Sequence, residues 1–215
     1  MSTENLPGWL DPVLEIARSA PDVALAPRRI PHPPTNARPA AVLMLFSDGE
    51  DGPELLLTRR SSRLRHHAGQ FSFPGGGADP GDADVTATAL REAYEEVGLD
   101  PASVQVLGQL PEQWLAASNY AVTPVLAYWR DPHPLGPVES FEVAEVHHTP
   151  ISSLVEPDNR FMVTGPSGWR GPAFEMGADI PLWGFTAGII ARLLDRVGWS
   201  VPWDESVTRP LVEPW

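Results

Sequence analysis

The chain has 215 residues, 28 acidic against 15 basic side chains for a net charge of −13, and 42% hydrophobic residues, which suits one compact domain with extensions. All fifteen basic residues are arginine and cysteine is absent, so lysine-dependent phosphate loops, Schiff bases, disulfides, thiolate zinc sites and cysteine nucleophiles are excluded. Carboxylate, histidine and hydroxyl chemistry remains, with a hard, oxygen-bound metal as the expected class of ion, and the acidic balance opposes attachment to nucleic acid or to an anionic membrane surface.

Met1 to Asn5 lacks the basic start and apolar block of a secretory signal, and the longest apolar run, Ala40 to Phe46, is too short to cross a bilayer. The chain therefore reads as cytoplasmic. Residues 6–20 carry Leu6, Leu10, Val13, Leu14 and Ala17 at helical spacing, which predicts one short amphipathic helix. Prolines at 21, 27, 31, 33, 34 and 39 then deny the backbone the donors of a helix or central strand. This stretch is expected to be an extended arm lying along its own domain or along the partner subunit of a homodimer. Helix and arm make an N-terminal extension, 1–39.

Ala40–Phe46 and Glu54–Thr58 predict two strands joined through Asp48-Gly49-Glu50-Asp51-Gly52. A glycine-rich loop follows at 74–81, then a helix over 84–97 with Ala89, Leu90, Ala93 and Val97 on its apolar face and Gly98 as its stop. Further strands are predicted at 103–110, 121–129 and 143–149. A second strongly periodic helix runs through Phe185, Ile189, Ile190, Leu193, Leu194 and Val197, and two such helices can sandwich a mixed sheet. The reading is an α/β domain over 40–198 with a C-terminal tail, 199–215.

The chemistry is concentrated in Phe73-Pro74-Gly75-Gly76-Gly77-Ala78-Asp79-Pro80-Gly81-Asp82 and in Arg91-Glu92-Ala93-Tyr94-Glu95-Glu96-Val97-Gly98-Leu99. At about 100° per residue, Glu95 and Glu96 fall roughly −60° and +40° from Glu92, so three carboxylates share one arc. Such a cluster repels itself in water, and a divalent cation reverses the sign. Oxygen ligands on a rigid helix suit Mg2+ or Mn2+, ions that keep waters and meet substrate phosphates. Arg91 lies beside the arc, where it can orient a carboxylate, and Gly75 and Gly76 let backbone approach a diphosphate.

These segments resemble the Nudix box, G-x5-E-x7-R-E-U-x-E-E-x-G-U, where U is bulky and aliphatic. Two departures stand out: counted from Gly76, Asp82 replaces the glutamate with eight residues before Arg91, and Ala93 takes a U position. The one-residue expansion looks like the coenzyme A pyrophosphatase branch. The branch signature, L-L-T-x-R-S-x3-R-x3-G-x3-F-P-G-G, is matched by Leu56-Leu57-Thr58, Arg60-Ser61, Arg65, Gly69 and Phe73-Pro74-Gly75-Gly76.

The resemblance, over about 40–195, implies the Nudix α/β/α sandwich and a metal-dependent hydrolase of the diphosphate of coenzyme A or its thioesters. It implies Glu92, Glu95 and Glu96 as metal ligands for Mg2+ or Mn2+, with Glu95 a further ligand or the group that orients the attacking water. Asp82 caps the helix or shapes the loop. Arg59, Arg60, Arg63 and Arg65 crowd positive charge next to this segment and are expected to meet substrate phosphates, with pairing to surface acids as the alternative. Glu142 is a candidate base or ligand from outside the box, against plain surface exposure. His66 and His67 read as polar loop residues, while His147 and His148, adjacent in a strand, face opposite ways and cannot share one ion. Gly165-Pro166-Ser167-Gly168-Trp169 reads as a plain loop. Two other functions stay open: hydrolysis of another nucleoside diphosphate derivative (NADH, ADP-ribose or a coenzyme-capped RNA end) and a non-catalytic Nudix-like ligand sensor.

Overall fold

The computed structural model describes residues 6–19, 33–64, 67–138, 141–165 and 168–211. Most of the proline arm, Arg65, His66 and the last four residues, 212–215, lie outside the described residues.

The N-terminal periodicity yields a 3-10 turn, Gly8–Leu10, running into helix α1, Asp11–Ser19. The long apolar run becomes β1, Arg38–Gly49, and its partner is β2, Gly52–Arg60. Gly49 pairs with Gly52, so the turn contains only two residues. From Phe46 and Leu55 to that turn, β1 and β2 pair directly and antiparallel. Farther from the turn, the segment after β2 is inserted between them. Strand β3, Phe71–Ser72, pairs with Thr58 and Arg59, and strand β4, Gly75–Gly77, pairs with Ala40, Ala41 and Val42. The glycine-rich stretch expected to be a loop thus begins as a strand, because it lies in this gap and ladders along β1.

Helix α2, Val85–Val97, follows, with the Asp84 carboxylate accepting from Ala87 N–H at its start and Gly98 at φ 75° closing its end. Strands β5 (Val104–Gln109), β6 (Gln113–Leu115), β7 (Tyr120–Trp129) and β8 (Val143–Pro150) complete the main sheet. Its central order is β3-β2-β1-β7-β5, with β8 on the far side of β2 and β6 on β7. The β1–β7 pair is parallel and the others are antiparallel, so the sheet is mixed as expected.

Alternation along β1 sends Ala41, Leu43 and Leu45 to one face, where Ala89, Ala93 and Val97 of α2 cover them. Met44 and Phe46 go to the other face, under α1 and a later helix. That later helix comes after α3 (Ile151–Val155), β9 (Arg160–Thr164) and β10 (Arg170–Phe174), and is α4, Gly184–Arg196. The result is the α/β/α sandwich, with the N-terminal helix packed onto it. Strand β11, Thr208–Pro210, runs parallel to β9 and forms a second, three-stranded sheet with β9 and β10, so the segment read as a tail is tied to the body there. Residues 165 and 168 close the β9–β10 connection by backbone hydrogen bonding, in keeping with a plain loop. No helix among the described residues is long and apolar enough to cross a membrane.

Leu10 is fully buried in the cluster that joins α1 to Phe46 and α4. Leu10→Ala is expected to cost about 2–5 kcal/mol, seen as a lower urea midpoint at unchanged m-value. A loss below about 1 kcal/mol would mean that α1 is not part of the cooperative core.

Candidate active site

The splayed ends of β1 and β2 open a cleft of about 480 Å³ bounded by the glycine strand, α2 and the start of α4. Glu92 and Glu96 of α2 enter it beside Gly75, Gly76 and Gly77, with Arg60 and Glu142 also on its walls. The approach of helix and glycine strand is close: a Cβ on Gly76 would stand 2.6 Å from the Glu92 carboxyl carbon.

Arg91 fixes this arrangement. Its Nε and Nη2 donate to the two Asp82 oxygens at 3.0 and 3.1 Å, Nη2 also donates to the Gly77 carbonyl at 2.9 Å, and Nη1 donates to Glu95 at 2.9 Å. The Glu92 carboxylate lies 3.0 Å from Nη1 as well. Asp82 accepts in addition from Thr88 Oγ1 at 2.8 Å and from Asp79 N–H at 2.9 Å. Its carboxyl is accordingly held well below the ordinary carboxylate range, first by Arg91 and then by the Asp79 N–H. Asp82 therefore shapes the loop and anchors Arg91, whereas capping belongs to Asp84.

Glu96 is buried at 8% exposure and accepts from Gly75 N–H at 3.2 Å. Burial pushes its carboxyl up to about 8, and repulsion from Glu92 adds to this against the pull of the Gly75 hydrogen bond. Glu92 is raised by burial too, with Arg91 opposing. Two carboxyls that burial pushes toward the neutral form in one cleft, with no histidine on its walls, would suit a hard divalent cation. Among the described residues no three histidine or acidic side chains converge closely enough to hold an ion alone, so such an ion would draw further ligands from water and substrate.

The other expected site residues are spread more widely. Glu95 is half-exposed, paired to Arg91 and absent from the cleft walls. Arg59 donates to Glu145 at 3.3 Å and to the Gly69 carbonyl, away from Arg60, because neighbours on a strand face opposite ways. Arg63 is exposed on the turn after β2. Arg60 alone of the described cluster lines the cleft, and its buried Nε finds no hydrogen-bond partner among the described residues. Glu142 is exposed at the rim, its carbonyl accepting from Ser61 N–H. His147 meets Glu145 and Phe71, while His148 stacks on Trp129 near Glu54, on opposite faces as expected. Tyr120, Leu115, Val122, Phe185 and Thr186 also line the cleft. They were not singled out as ligand contacts by sequence, where Phe185 entered only as part of the periodic face of the second helix.

Residues 37–161 match the NUDIX domain family. The chain belongs to that family. The Nudix hydrolase NudL of Photorhabdus laumondii, itself described as uncharacterised, is 39% identical over 180 residues, covering 79% of this chain and 92% of that protein. Nudix hydrolase 15, mitochondrial, of Arabidopsis thaliana is 37% identical over 163 residues, 71% of this chain; the match spans only 56% of the plant protein's length. RenU, a Nudix hydrolase from M. smegmatis, shares the fold at a TM-score of 0.54 and 21% identity, over 79% of this chain and 91% of its own. As a Nudix hydrolase the chain acts on a pyrophosphate-containing small molecule, and Nudix hydrolases generally use divalent metal ions.

The two adjacent glycines of this Nudix site should respond differently to alanine. A Cβ on Gly75 would meet backbone atoms of Ala41 and Val42, whereas the three atoms nearest to one on Gly76 all belong to the Glu92 carboxylate, the far end of a side chain. Gly75→Ala is expected to lower thermal stability. Gly76→Ala should keep stability near wild type and lower turnover tenfold or more through displaced Glu92. Equal effects on melting temperature would contradict this placement of the glycine strand.

Proposed function

We propose that the chain hydrolyses the diphosphate of coenzyme A or its thioesters, giving 3′,5′-ADP and 4′-phosphopantetheine or its acylated form, with Mg2+ or Mn2+ as cofactor. The observation that carries this reading is the meeting of Arg60, Phe73, Gly75 and Gly76, four residues of the branch signature, on the walls of one cleft with Glu92 and Glu96. The Nε of Arg60, without a hydrogen-bond partner among the described residues, supplies a donor for a phosphate oxygen.

Glu92 and Glu96 are the residues that would hold the ion. When bound, it would neutralise the diphosphate and make a nucleophile available from water near neutral pH. Arg91 keeps Glu92 in place through its grip on Asp82 and Gly77. Arg60 binds and orients the diphosphate, and Arg65 of the same signature is proposed to assist it. Glu142 at the rim is proposed to take the proton, and Glu95 to act through Arg91. Phe73, Leu115, Val122 and Phe185 offer an apolar wall that limits water.

Purified protein with either ion should convert coenzyme A to 3′,5′-ADP and 4′-phosphopantetheine by mass, faster than NADH, ADP-ribose or coenzyme-capped RNA. In oxygen-18 water the label should enter a phosphate-bearing product while the 3′-phosphate stays on the nucleotide. Inorganic phosphate as the main product would make the enzyme a phosphatase and overturn the reading. Binding of the panel without turnover of any member would point to the non-catalytic sensor. Glu92→Gln preserves size but removes a ligand charge, and turnover is expected to fall by orders of magnitude with the fold intact. Activity within a few-fold of wild type in a folded variant would remove Glu92 from the catalytic set.

A further inference from the structure

A second arginine packs on a residue of the cleft wall: Arg38 lies over Tyr120, which lines the cleft. Arg38 opens β1 and is paired in register with Tyr120, as Ala40 is with Val122. Alternation places Arg38 on the face that Ala40 and Val42 turn to the cleft, and Ala40, Val42, Tyr120 and Val122 all line it. The exposed guanidinium lies over the Tyr120 ring, 4.0 Å from its centroid, and Nη2 donates to the Ser118 carbonyl at 3.0 Å. No carboxylate pairs with it among the described residues, in a chain of net charge −13.

The support beneath Arg38 is ordered. Arg38 N–H donates to the Asn119 carbonyl at 2.9 Å. The Asn119 side chain, on a residue at φ 54°, donates to the Asn36 carbonyl at 3.0 Å and accepts from Trp114 Nε1 at 3.2 Å. The β6–β7 turn is thus tied to the entry of β1. Ring and carbonyl together fix the guanidinium while leaving N–H donors free, which lowers the ordering cost of meeting an anion.

We propose that Arg38, positioned by Tyr120, forms a second anion subsite that recognises a phosphate monoester of the substrate remote from the diphosphate that is cut. Arg60 serves the reacting group beside Glu96, and Arg38 serves a group that extends past Tyr120 of the cleft wall. Taking that monoester to be the 3′-phosphate of a coenzyme A nucleotide rests on the function proposed above. The subsite itself rests on the register and on the stacking against a residue of the cleft wall.

Equilibrium binding of adenosine 3′,5′-bisphosphate and of adenosine 5′-monophosphate, measured by titration calorimetry, tests it. Wild type should prefer the bisphosphate by about tenfold or more, the scale of one charge-assisted hydrogen bond. Arg38→Gln should bring the ratio close to one, and Arg38→Lys should keep part of it. Tyr120→Phe, which retains the ring, should keep the ratio, and Tyr120→Leu should lower it. No preference in wild type, or a preference that survives Arg38→Gln, overturns the subsite; a ratio unchanged in Tyr120→Leu removes Tyr120 as its positioning residue. Coenzyme A hydrolysis is scored separately. Its absence with the preference intact would remove the coenzyme A reading and leave a nucleotide-phosphate subsite, while hydrolysis without any Arg38 effect on the ratio would remove the subsite and leave the reaction.

Discussion

The site depends on the hydrogen bonds of one guanidinium. Arg91 joins the Asp82 loop, the Gly77 carbonyl of the glycine strand and the Glu92 and Glu95 carboxylates of its own helix. Three pieces of chain, joined also by hydrogen bonds of Thr88 to Asp82 and of Gly75 to Glu96, are thereby held at hydrogen-bond distance. Its forked, planar donors can do this where a lysine ammonium could not. The same contacts divide the acids. Asp82 is compensated and stays ionised, whereas burial dominates Glu96 against the pull of the Gly75 N–H and of Arg60. A cation at the inner end of the cleft would favour the ionised form that burial opposes.

The glycine strand is the second constraint. Between β1 and β2 there is room for backbone, and at Gly76 the helix carboxylate occupies the space a side chain would need. Composition made this stretch look like a loop, since three successive glycines carry no alternation of apolar and polar residues and no β-branched side chain. Its strand character comes from long-range pairing with Ala40, Ala41 and Val42, a contact that local pattern cannot encode. The small sheet escaped for a related reason. Arg170–Phe174 contains glycine and proline, and Thr208–Pro210 is three residues long, so neither shows a period. By contrast β1, β2, β5, β7, β8, α2 and α4 were legible to within a few residues at most ends, because each buries a regular face.

Within the site, legibility followed the same division. The arc of Glu92, Glu95 and Glu96 is a local consequence of helical pitch and could be read from spacing. Which of the three Arg91 would take could not, because that depends on where Asp82 and Gly77 arrive. The arginine cluster read as a unit, yet a strand separates neighbours: Arg59 turns to Glu145 while Arg60 turns to the cleft. Glu142 reaches the rim through a backbone hydrogen bond between Ser61 and the segment before β8, across a distance in sequence that no motif spans. Asp82 shows how an altered spacing is absorbed. Although the count to Arg91 is longer by one than the common box, its carboxylate still meets Nε and Nη2 together.

Charge placement gives the cleft its direction. Among the described residues Arg59, Arg91, Arg130 and Arg209 pair with carboxylates. Arg60 lines the cleft and makes no such pair among the described residues, although its charge favours ionisation of Glu96. Arg38, which has no carboxylate partner among the described residues either, is held by the Tyr120 ring and the Ser118 carbonyl. A ligand that carried phosphate oxygens together with a divalent ion would meet both kinds of group at once. Sheet geometry thus brings the Arg60 guanidinium and the Glu92 and Glu96 carboxyls to the walls of one cleft.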